Sequence, residues 1–559
     1  MTAELDKAGA GGHRKSSMGY VIVLGVIGAI GGLLFGYDIG VISGALLILK
    51  PELDLSTSQS GLLASADLWG AVLGALSAIL LTNWLGRRRS NILAGLIFII
   101  GGLVTGGATW LTELLGGSIP VLEILFCGRV IVGLAIGISS VAGPMYISEV
   151  SPPHLRGRLV TCYQLAITIG ILIAYGIDLA FADHPTGWHW MFGLAVVPGL
   201  ILFFGMMAMP YSPRWLVQRG RHDAARMVLA KTMAGVGVDD ELDRVIQDVK
   251  KTEGHHWWKD LPNPAVKRAL LVGVGMAILQ QFIGINAVIY FGPEIFQYAG
   301  FTSTGSALMA TLGIGAINVL ATFIAIAFID KIGRRPLLIF GLSGMFLSLI
   351  VLAGAFHALN YSEKPAPLTS DEVLKQEENI KAFTQEYHYH TNHQTVRRGH
   401  TTANDKVVKA QIDASSAKSP DQEEAATQDV EQKKSSPMLG IATLLCLSLY
   451  IICFACSMGP IVWVLISEIF PLHMRNMGAS VATAGNWGAN GIVALYSLSL
   501  MNNLGRAETF GIYAAICFLT LLFVLFIVPE TKGYSLEEIE KNFSKSFRRH
   551  WSEPSGDED

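Results

Sequence analysis

The sequence NWLGRRR stands at residues 83–89, and DKIGRRP stands at residues 330–336. Each stretch follows a long apolar run and ends it with the same Gly-Arg-Arg corner. A second motif lies downstream of each corner, because SEVSPPHLR at 148–156 and SEIFPLHMR at 467–475 align without a gap. Two motifs that recur in the same order predict a chain whose two halves arose by duplication.

The composition indicates a membrane protein. Of the 559 residues, 51% are hydrophobic and 15% are charged, whereas a soluble domain usually carries about 25% charged residues. Several uncharged runs reach the roughly 20 residues that a helix needs to cross a bilayer. We therefore predict an all-α membrane protein with twelve transmembrane helices in two pseudo-symmetric bundles of six. The approximate limits of these spans are Met18–Leu47, Ser60–Leu81, Asn91–Thr112, Val121–Ile147, Leu159–Ala182, Trp188–Met209, Arg268–Tyr298, Ser306–Ile329, Pro336–Leu359, Met438–Ser467, Gly478–Met501 and Thr509–Val528.

Lysine and arginine collect in the loops on one side of the predicted spans. The loops after the second, fourth, eighth and tenth spans are basic, so the positive-inside rule places them, both termini and the central linker in the cytosol. GGHRKSS at 11–17 precedes the first span and no small-residue cleavage site follows, so we expect that span to remain in the mature protein. The predicted domains are a cytosolic tail (1–17), a first bundle (18–209), linker helices (210–264), a second bundle (265–528) and a cytosolic tail (529–559).

A polar insertion at 360–437 interrupts the second bundle and is predicted to lie on the outer side. Its clustered histidines either bind a metal or sense pH, or they belong to an ordinary polar loop. Cys453 and Cys456 have a CxxC spacing, but no second ligand pair follows, so we interpret them as helix-packing residues rather than a zinc site. The histidines of the insertion's cluster are His388, His390, His393 and His400.

Charged residues recur at the cytosolic ends of the repeated motifs. Arginine and glutamate there can pair across adjacent bundles when the cytosolic side is closed, and opening must then break the pairs. The positive-inside rule alone would explain the arginines but not the repeated glutamates. The predicted latch residues are Arg88, Glu149 and Arg156 in the first half, and Arg335, Glu468 and Arg475 in the second.

Asp38 lies inside the first span, where charged residues are rare and usually functional. Arg129 in the fourth span is its natural partner. An aspartate beside an arginine stays ionised, whereas an aspartate separated from it in a dry site takes up a proton. If movement of the helices changes this distance, protonation is coupled to transport; the alternative is a static ion pair.

Amide side chains lie at mid-membrane depth in the seventh span. Gln280 and Gln281 are followed by Asn286 about a turn and a half later. Unpaired amides in lipid are costly, so these side chains should face a cavity or hold another helix. Gly459 and Pro460 in the tenth span are expected to weaken the helix and allow bending.

The chain resembles the sugar porter family of the major facilitator superfamily over essentially all its spans. Asn83 and Tyr211 depart from the family pattern, since relatives usually carry an acid at these places, so we expect a weaker first latch and a different docking of the linker. The stretches that carry the resemblance are GGLLFGYDIGVISGAL (31–46), LGRRR (85–89), GRVIVGLAIG (128–137), YISEVSPPHLRG (146–157), PYSPRWL (210–216), QQFIGINAVIYF (280–291), DKIGRRP (330–336), GPIVWVLISEIFP (459–471) and PETKG (529–533).

The resemblance implies which residues bind a sugar. A sugar site needs neutral amides, which both donate and accept hydrogen bonds, together with an aromatic wall. Ile171 in the fifth span favours a hexose over a pentose, and Tyr290 with Phe291 would form an outer gate. The residues that the resemblance assigns to the sugar are Gln164, Gln280, Gln281, Asn286, Asn318, Asn486, Trp487 and Asn490, with Phe35 and Trp463 as apolar walls.

The function that we predict is import of a monosaccharide by proton symport, because relatives with an acid at the position of Asp38 are usually proton-coupled. A facilitative uniporter, a polyol or inositol symporter, and a sugar sensor are the alternatives. We expect no enzyme activity, metal, cofactor or nucleic-acid partner, because no nucleophile–base pair or ligand set is visible. A monomer in the plasma membrane is the default expectation.

Overall fold

The computed structural model describes residues 2–152, 155–184, 186–233, 235, 237–252, 261–362, 437–471 and 474–532. These residues form helices joined by short turns, and none of them belongs to a β-strand. The histidine cluster of the insertion lies outside the described residues, and so do the side chains of Arg156 and Arg475.

Helices of the first half cover most of the described chain before the linker. In chain order they are α1 (Thr2–Glu52), α2 (Thr57–Trp84), α3 (Arg87–Gly106), α4 (Ala108–Leu114), α5 (Val121–Val150), α6 (Arg156–Phe181), α7 (Gly187–Gly193) and α8 (Val196–Ala208). The linker helices are α9 (Pro213–Gln218), α10 (His222–Thr232) and α11 (Val238–Thr252). Those of the second half are α12 (Pro264–Phe282), α13 (Ile285–Tyr290), α14 (Gly292–Tyr298), α15 (Thr304–Ile332), α16 (Arg334–Ser362), α17 (Pro437–Cys456), α18 (Met458–Ile469), α19 (Arg475–Asn503) and α20 (Arg506–Phe526).

Eleven segments of the described chain are long and apolar enough to cross a membrane. They coincide with the predicted spans except at residues 478–501. That region is helical throughout in α19, which has 29 residues, but it is less apolar. Its buried asparagines Asn486 and Asn490 account for part of this difference. A polar helix of this length fits a membrane protein when its polar side chains face the protein interior.

Some spans of the described chain are broken rather than continuous. The sixth span consists of α7 and α8, the seventh consists of α12 to α14, and the tenth consists of α17 and α18. The seventh breaks at Gly284, whose φ of 92° is open to glycine at little cost. The tenth breaks at Ser457, just before Gly459 and Pro460, the residues expected to weaken it. Such breaks free backbone carbonyl groups for other partners.

The two halves pack against each other through equivalent helices. In one contact, α2 of the first half packs on α19 of the second half. In a second contact, α6 of the first half packs on α15 of the second half. These helices are the second, eleventh, fifth and eighth spans, so exchanging the halves converts one contact into the other. The interface therefore has the two-fold relation that the repeated motifs predict.

Each Gly-Arg-Arg corner begins the helix that follows it. Gly86 precedes α3 with a φ of 81°, and Gly333 precedes α16 with a φ of 107°. A Cβ atom on Gly86 would lie 2.9 Å from the Trp215 ring, and one on Gly333 would lie 2.8 Å from the Glu530 carboxylate. Backbone conformation and close approach both require glycine here. Each corner glycine thus lets the segment that follows the last span of its half approach the start of α3 or α16 closely.

The linker helices form a small apolar cluster of their own, which includes Trp215, Leu216 and Val249. An exposed ion pair joins α10 to α11, with 2.7 Å between Arg226 Nε and Asp239 Oδ1. The hydrogen bond from this guanidinium lowers the pKa of the Asp239 carboxyl. The described part of the linker thus contains three helices that pack together.

Candidate functional site

A cluster of amide side chains joins the seventh, tenth and eleventh spans. Gln280 Nε2 donates to the carbonyl oxygen of Met458 at 2.7 Å, at the break in the tenth span. Asn486 Nδ2 donates to Gln280 Oε1 at 2.8 Å and to the carbonyl oxygen of Ala277 at 2.7 Å. An amide of the seventh span therefore binds the backbone of the tenth span beside its break.

The remaining amides of the seventh span complete the same network. Gln281 Nε2 donates to Asn486 Oδ1 at 3.0 Å, and Asn286 Nδ2 donates to Gln281 Oε1 at 2.5 Å. All three side chains are buried. The amides thus satisfy one another in this conformation, and each carries a donor and an acceptor that a hydroxyl group could replace. We call Gln280, Gln281, Asn286 and Asn486 the amide cluster.

An aromatic pair, one of whose rings lies on the same helix as Asn486, bridges the two halves. The rings of Phe35 and Trp487 meet edge to face, with 4.6 Å between their centroids. Trp487 Nε1 also donates to Ser140 Oγ at 3.3 Å, which is a second contact between the halves. Buried indoles usually find such a partner for the N–H group. This pair gives the site an apolar face beside its polar one.

Tyr290 and Asn490 form a further contact between the seventh and eleventh spans. Asn490 Nδ2 donates to the Tyr290 hydroxyl at 3.0 Å. Asn490 Oδ1 is buried and has no hydrogen-bond partner among the described residues. The ring of Phe291 stands nearly perpendicular to that of Tyr290, with 6.4 Å between centroids. An unsatisfied buried carbonyl is a ready acceptor for a ligand hydroxyl or a water molecule.

Other residues assigned to the sugar are not joined to the amide cluster by hydrogen bonds in the described part of the chain. Ile171 and Asn318 are buried, whereas Gln164 and Trp463 are half-buried. The backbone of Ile171 packs against Gly40 of the first span. A sugar role for these four residues therefore stays a prediction.

Three buried charged side chains of the first half meet at one point. Arg129 Nη1 is 3.5 Å from Asp38 Oδ1, and Arg129 Nη2 is 2.8 Å from Asp67 Oδ1. Arg129 Nε donates to the carbonyl oxygen of Leu63 at 2.9 Å. The relative exposures are 0% for Arg129, 1% for Asp67 and 4% for Asp38, so all three are almost wholly shielded from bulk water. We call Asp38, Asp67 and Arg129 the charged triad.

Asp67 is the member of the triad that the sequence interpretation missed. It stands in LLASADLWG at residues 62–70, inside the second span. The signal that singled out Asp38, an acid at membrane depth, applies to Asp67 equally. The contact of Asp67 with Arg129 is also shorter than that of Asp38.

Close packing of the second and fourth spans places Asp67 beside Arg129. A Cβ atom on Gly133 would collide with the carbonyl group of Asp67, and one on Gly137 would collide with that of Ala71. Small residues allow two backbones to approach in this way. The GLAIG stretch at 133–137 therefore fixes the distance between the helices that carry Arg129 and Asp67.

Tyr290 connects the charged triad with the polar site of the second half. It lies within electrostatic range of Asp67, Arg129 and Asp38, although it belongs to the second half. Its hydroxyl group also accepts the hydrogen bond from Asn490. One side chain of the seventh span thus interacts both with the polar residues of the second half and with the charges of the first.

The halves also meet at the ends of the spans that lie opposite the Gly-Arg-Arg corners. Lys50 Nζ lies 3.5 Å from Glu294 Oε1. The Tyr175 hydroxyl donates to the carbonyl oxygen of Ile289 at 3.0 Å. These contacts join the first and fifth spans to the seventh in this conformation.

The ion pairs at the corners use a different arginine from the one predicted. Arg87 Nη2 lies 2.8 Å from Glu149 Oε1, and Arg334 Nη2 lies 2.9 Å from Glu468 Oε1. The first arginine of each corner faces the glutamate because its helix begins immediately after the corner glycine. We call these pairs and their hydrogen-bond partners the corner clusters. The prediction had given this place to the second arginine of each corner, Arg88 and Arg335.

Arg88 and Arg335 hold other segments instead. Arg88 Nε donates to the carbonyl oxygen of Met206 at 3.0 Å, and its guanidinium lies 4.6 Å from the centroid of the Tyr211 ring. Arg335 Nη2 donates to the carbonyl oxygen of Leu525 at 2.7 Å. Both arginines therefore bind the end of the sixth span of their own half.

The two corner clusters have the same design around the glutamate. The second oxygen of Glu149 accepts from Ser212 Oγ at 2.5 Å, and that of Glu468 accepts from Thr531 Oγ1 at 2.7 Å. Each hydroxyl residue follows the last span of its half. The repeated glutamates therefore have equivalent partners on both sides.

The clusters differ at the residue before each hydroxyl. Glu530 accepts from the backbone N–H groups of Arg334 and Arg335, at 3.1 and 3.0 Å. Tyr211 stands in the equivalent place and offers its ring to Arg88. Tyr211 thus replaces a carboxylate contact with a cation–π contact.

Comparison with known proteins identifies the relatives of the chain. The probable inositol transporter 2 of Arabidopsis thaliana is 36% identical over 93% of this chain and 91% of its own length. The galactose-proton symporter of Escherichia coli K12 is 34% identical over 93% of both chains. The solved structure of the proton:xylose symporter XylE bound to 6-bromo-6-deoxy-D-glucose matches with a TM-score of 0.70 and 29% identity, covering 94% of this chain and 99% of that one.

The family model described as "Sugar (and other) transporter" matches residues 24–370 and 425–543. The match includes both Gly-Arg-Arg corners, the amide cluster and the charged triad. Helical spans, internal repeats and relatives agree with it. The chain belongs to the sugar transporter family of the major facilitator superfamily.

Proposed function

We propose that this chain imports a monosaccharide together with a proton by alternating access. The observation that carries the proposal is the connection of the charged triad to the sugar-type site through Tyr290. A uniporter needs no buried acid next to its substrate site, and such an acid is costly to keep in a membrane. The galactose and xylose relatives are proton symporters by name, which supports the same assignment.

The amide cluster and the Phe35–Trp487 pair form the sugar site in this proposal. Sugar hydroxyls would take over hydrogen bonds that Gln280, Gln281 and Asn486 now make to one another. The exchange of one neutral hydrogen bond for another changes the free energy little, so the sugar can bind and leave. The Phe35–Trp487 pair would pack against the apolar face of the sugar ring.

Asp38 carries the proton in this mechanism. The contacts opposite the corners close the site on the outer side, and rocking of the halves would open that side while it closes the cytosolic one. Movement of the first span relative to the fourth would change the contact between Asp38 and Arg129, and with it the preference of Asp38 for a proton. Coupling follows if the sugar-loaded carrier rocks only when Asp38 is neutral.

The substrate is a hexose in this proposal, since the apolar Ile171 offers no hydrogen bond in the fifth span. Inositol is the second candidate, because an inositol transporter is among the relatives and its ring of hydroxyls suits the same amides. The protein would act as a monomer in the plasma membrane with both termini in the cytosol, following its loop charges.

Asp38→Asn should abolish sugar accumulation but retain exchange. The neutral amide imitates the protonated acid, and Asp67 still neutralises Arg129, so the fold should survive. The measurement is uptake of labelled glucose, xylose and inositol by proteoliposomes, with and without an inward proton gradient, followed by counterflow. Exposed Asp54→Asn is the matched control and should behave as wild type. Gradient-driven accumulation by Asp38→Asn would contradict the proposal.

Gln281→Ala should weaken sugar binding. Loss of one neutral hydrogen bond, worth about 0.5–1.5 kcal/mol, should raise the apparent KM about two- to tenfold. The measurement is the concentration dependence of exchange, which does not require the proton gradient. Gln297→Ala removes an exposed amide from the same span and should leave the KM unchanged. An unchanged KM for Gln281→Ala would mean that this amide only holds helices together.

The corner clusters should differ in how much they stabilise the protein. The Arg87 side chain is 0% exposed, whereas that of Arg334 is 14% exposed. Glu149→Gln would leave a fully buried guanidinium without its counter-ion and should lower the free energy of unfolding by about 3–5 kcal/mol. Glu468→Gln should cost about 1 kcal/mol or less, since its pair is partly exposed.

Thermal unfolding of the purified variants in detergent measures this difference. Glu113→Gln, at an exposed position, is the control and should not change the melting temperature. Equal losses for Glu149→Gln and Glu468→Gln, or a larger loss for the second, would show that burial of the arginine does not govern these clusters.

A further inference from the structure

The charged triad contains one cation and two carboxylates. When both acids are ionised, this buried site carries a net negative charge, which is costly away from bulk water. One bound proton would make the three side chains neutral together. The triad can therefore bind one proton while Arg129 keeps one ionised carboxylate as its partner.

The two carboxylates are not equivalent. Asp67 lies 2.8 Å from Arg129, and Asp38 lies 3.5 Å from it. Asp38 Oδ2 is buried and has no hydrogen-bond partner among the described residues. The carboxyl groups of Asp38 and Asp67 also lie close enough for a hydrogen bond once one of them is protonated. Asp67 is thus the closer ion-pair partner of the guanidinium. Asp38 accepts only a long hydrogen bond of 3.5 Å from Arg129 Nη1 through Oδ1, and its Oδ2 is ready for a proton.

We propose that Asp67 is the permanent counter-ion of Arg129 and that this frees Asp38 to bind and release the transported proton. The inference rests on the proposed function and adds a positioning residue to it. A proton leaves hydronium in the outer water, forms an O–H bond with a carboxylate oxygen of Asp38, and returns to water on the cytosolic side. No other group is oxidised, reduced or transferred.

The energetic reason lies in the fate of Arg129. In a site with one carboxylate, protonation would leave a buried guanidinium without a counter-ion, which is strongly unfavourable. With Asp67 in place, Arg129 stays neutralised in both states of Asp38. The titratable or charged groups that face Asp38 are Arg129 and Asp67 from the fourth and second spans, Tyr290 from the seventh and Tyr37 from its own span.

Asp67→Asn should therefore move proton-dependent uptake to lower pH. Without Asp67, Asp38 becomes the sole counter-ion of Arg129 and holds its charge more strongly, so protonation requires more acid. The external pH of half-maximal accumulation should fall by about one to three units, the shift that an adjacent arginine usually produces in an aspartate. Asp67→Glu keeps the charge and should restore the midpoint toward wild type, and Asp54→Asn should not move it.

Infrared difference spectroscopy of the reconstituted protein gives a readout that needs no transport. The carbonyl band of a protonated carboxylic acid is followed against pH in wild type, Asp67→Asn, Asp67→Glu and Asp38→Asn. The band that Asp38→Asn removes should titrate at lower pH in Asp67→Asn than in wild type. Thermal unfolding of the same samples identifies a variant that fails to fold. If Asp67→Asn fails to fold, Asp67→Glu, which keeps the negative charge, shows whether the charge of Asp67 sets the titration of Asp38.

The outcomes separate the role of Asp67 from proton symport itself. An unchanged titration and an unchanged uptake midpoint in Asp67→Asn would overturn the role of Asp67 while leaving proton symport intact. A shift to higher pH would also overturn it. If wild type does not accumulate sugar on a proton gradient, the proposed function fails, but the infrared shift still decides whether Asp67 holds Arg129 in place of Asp38.

Discussion

A guanidinium with no exposure to solvent must be neutralised wherever it lies, and Arg129 imposes this constraint on the first half of the protein. Two acids from different spans meet it, so the first, second and fourth spans are tied to one point. Small residues in the second and fourth spans allow their backbones to approach closely enough for this contact. Packing and charge therefore specify the same arrangement of helices.

The second half meets a different constraint with amides. The seventh and tenth spans are broken, and Gln280 and Asn486 donate to the backbone carbonyl groups of Met458 and Ala277 near the breaks. A polar cluster without net charge can exchange its hydrogen bonds with sugar hydroxyls at little cost. The duplicated halves have thus diverged, with charge concentrated in one and neutral polar groups in the other. Tyr290 lies between the two.

Much of the architecture could be predicted because it depends on local pattern. Apolar length predicts the spans, and the paired motifs predict the two halves. The choice of Arg87 over Arg88 could not be predicted, because adjacent arginines in a corner look alike until the conformation of Gly86 sets their direction. The same limit applies to Tyr211, whose cation–π contact with Arg88 depends on how the linker approaches the bundle.

Asp67 was missed for a different reason: its signal matches that of Asp38, but only the packing of the second span on the fourth reveals that Arg129 has two partners. The distance between two spans depends on how many side chains of both helices pack together. The apolar periodicity of one helix therefore cannot predict it.

The central claim is that sugar and proton cross the membrane together. The most direct test records the pH of a weakly buffered suspension of proteoliposomes, without any imposed gradient, when sugar is added. Proton symport predicts a transient rise in external pH with wild type, with hexose or inositol as the effective sugar, and no rise with Asp38→Asn. Sugar entry into wild-type vesicles without any change in external pH would contradict the account.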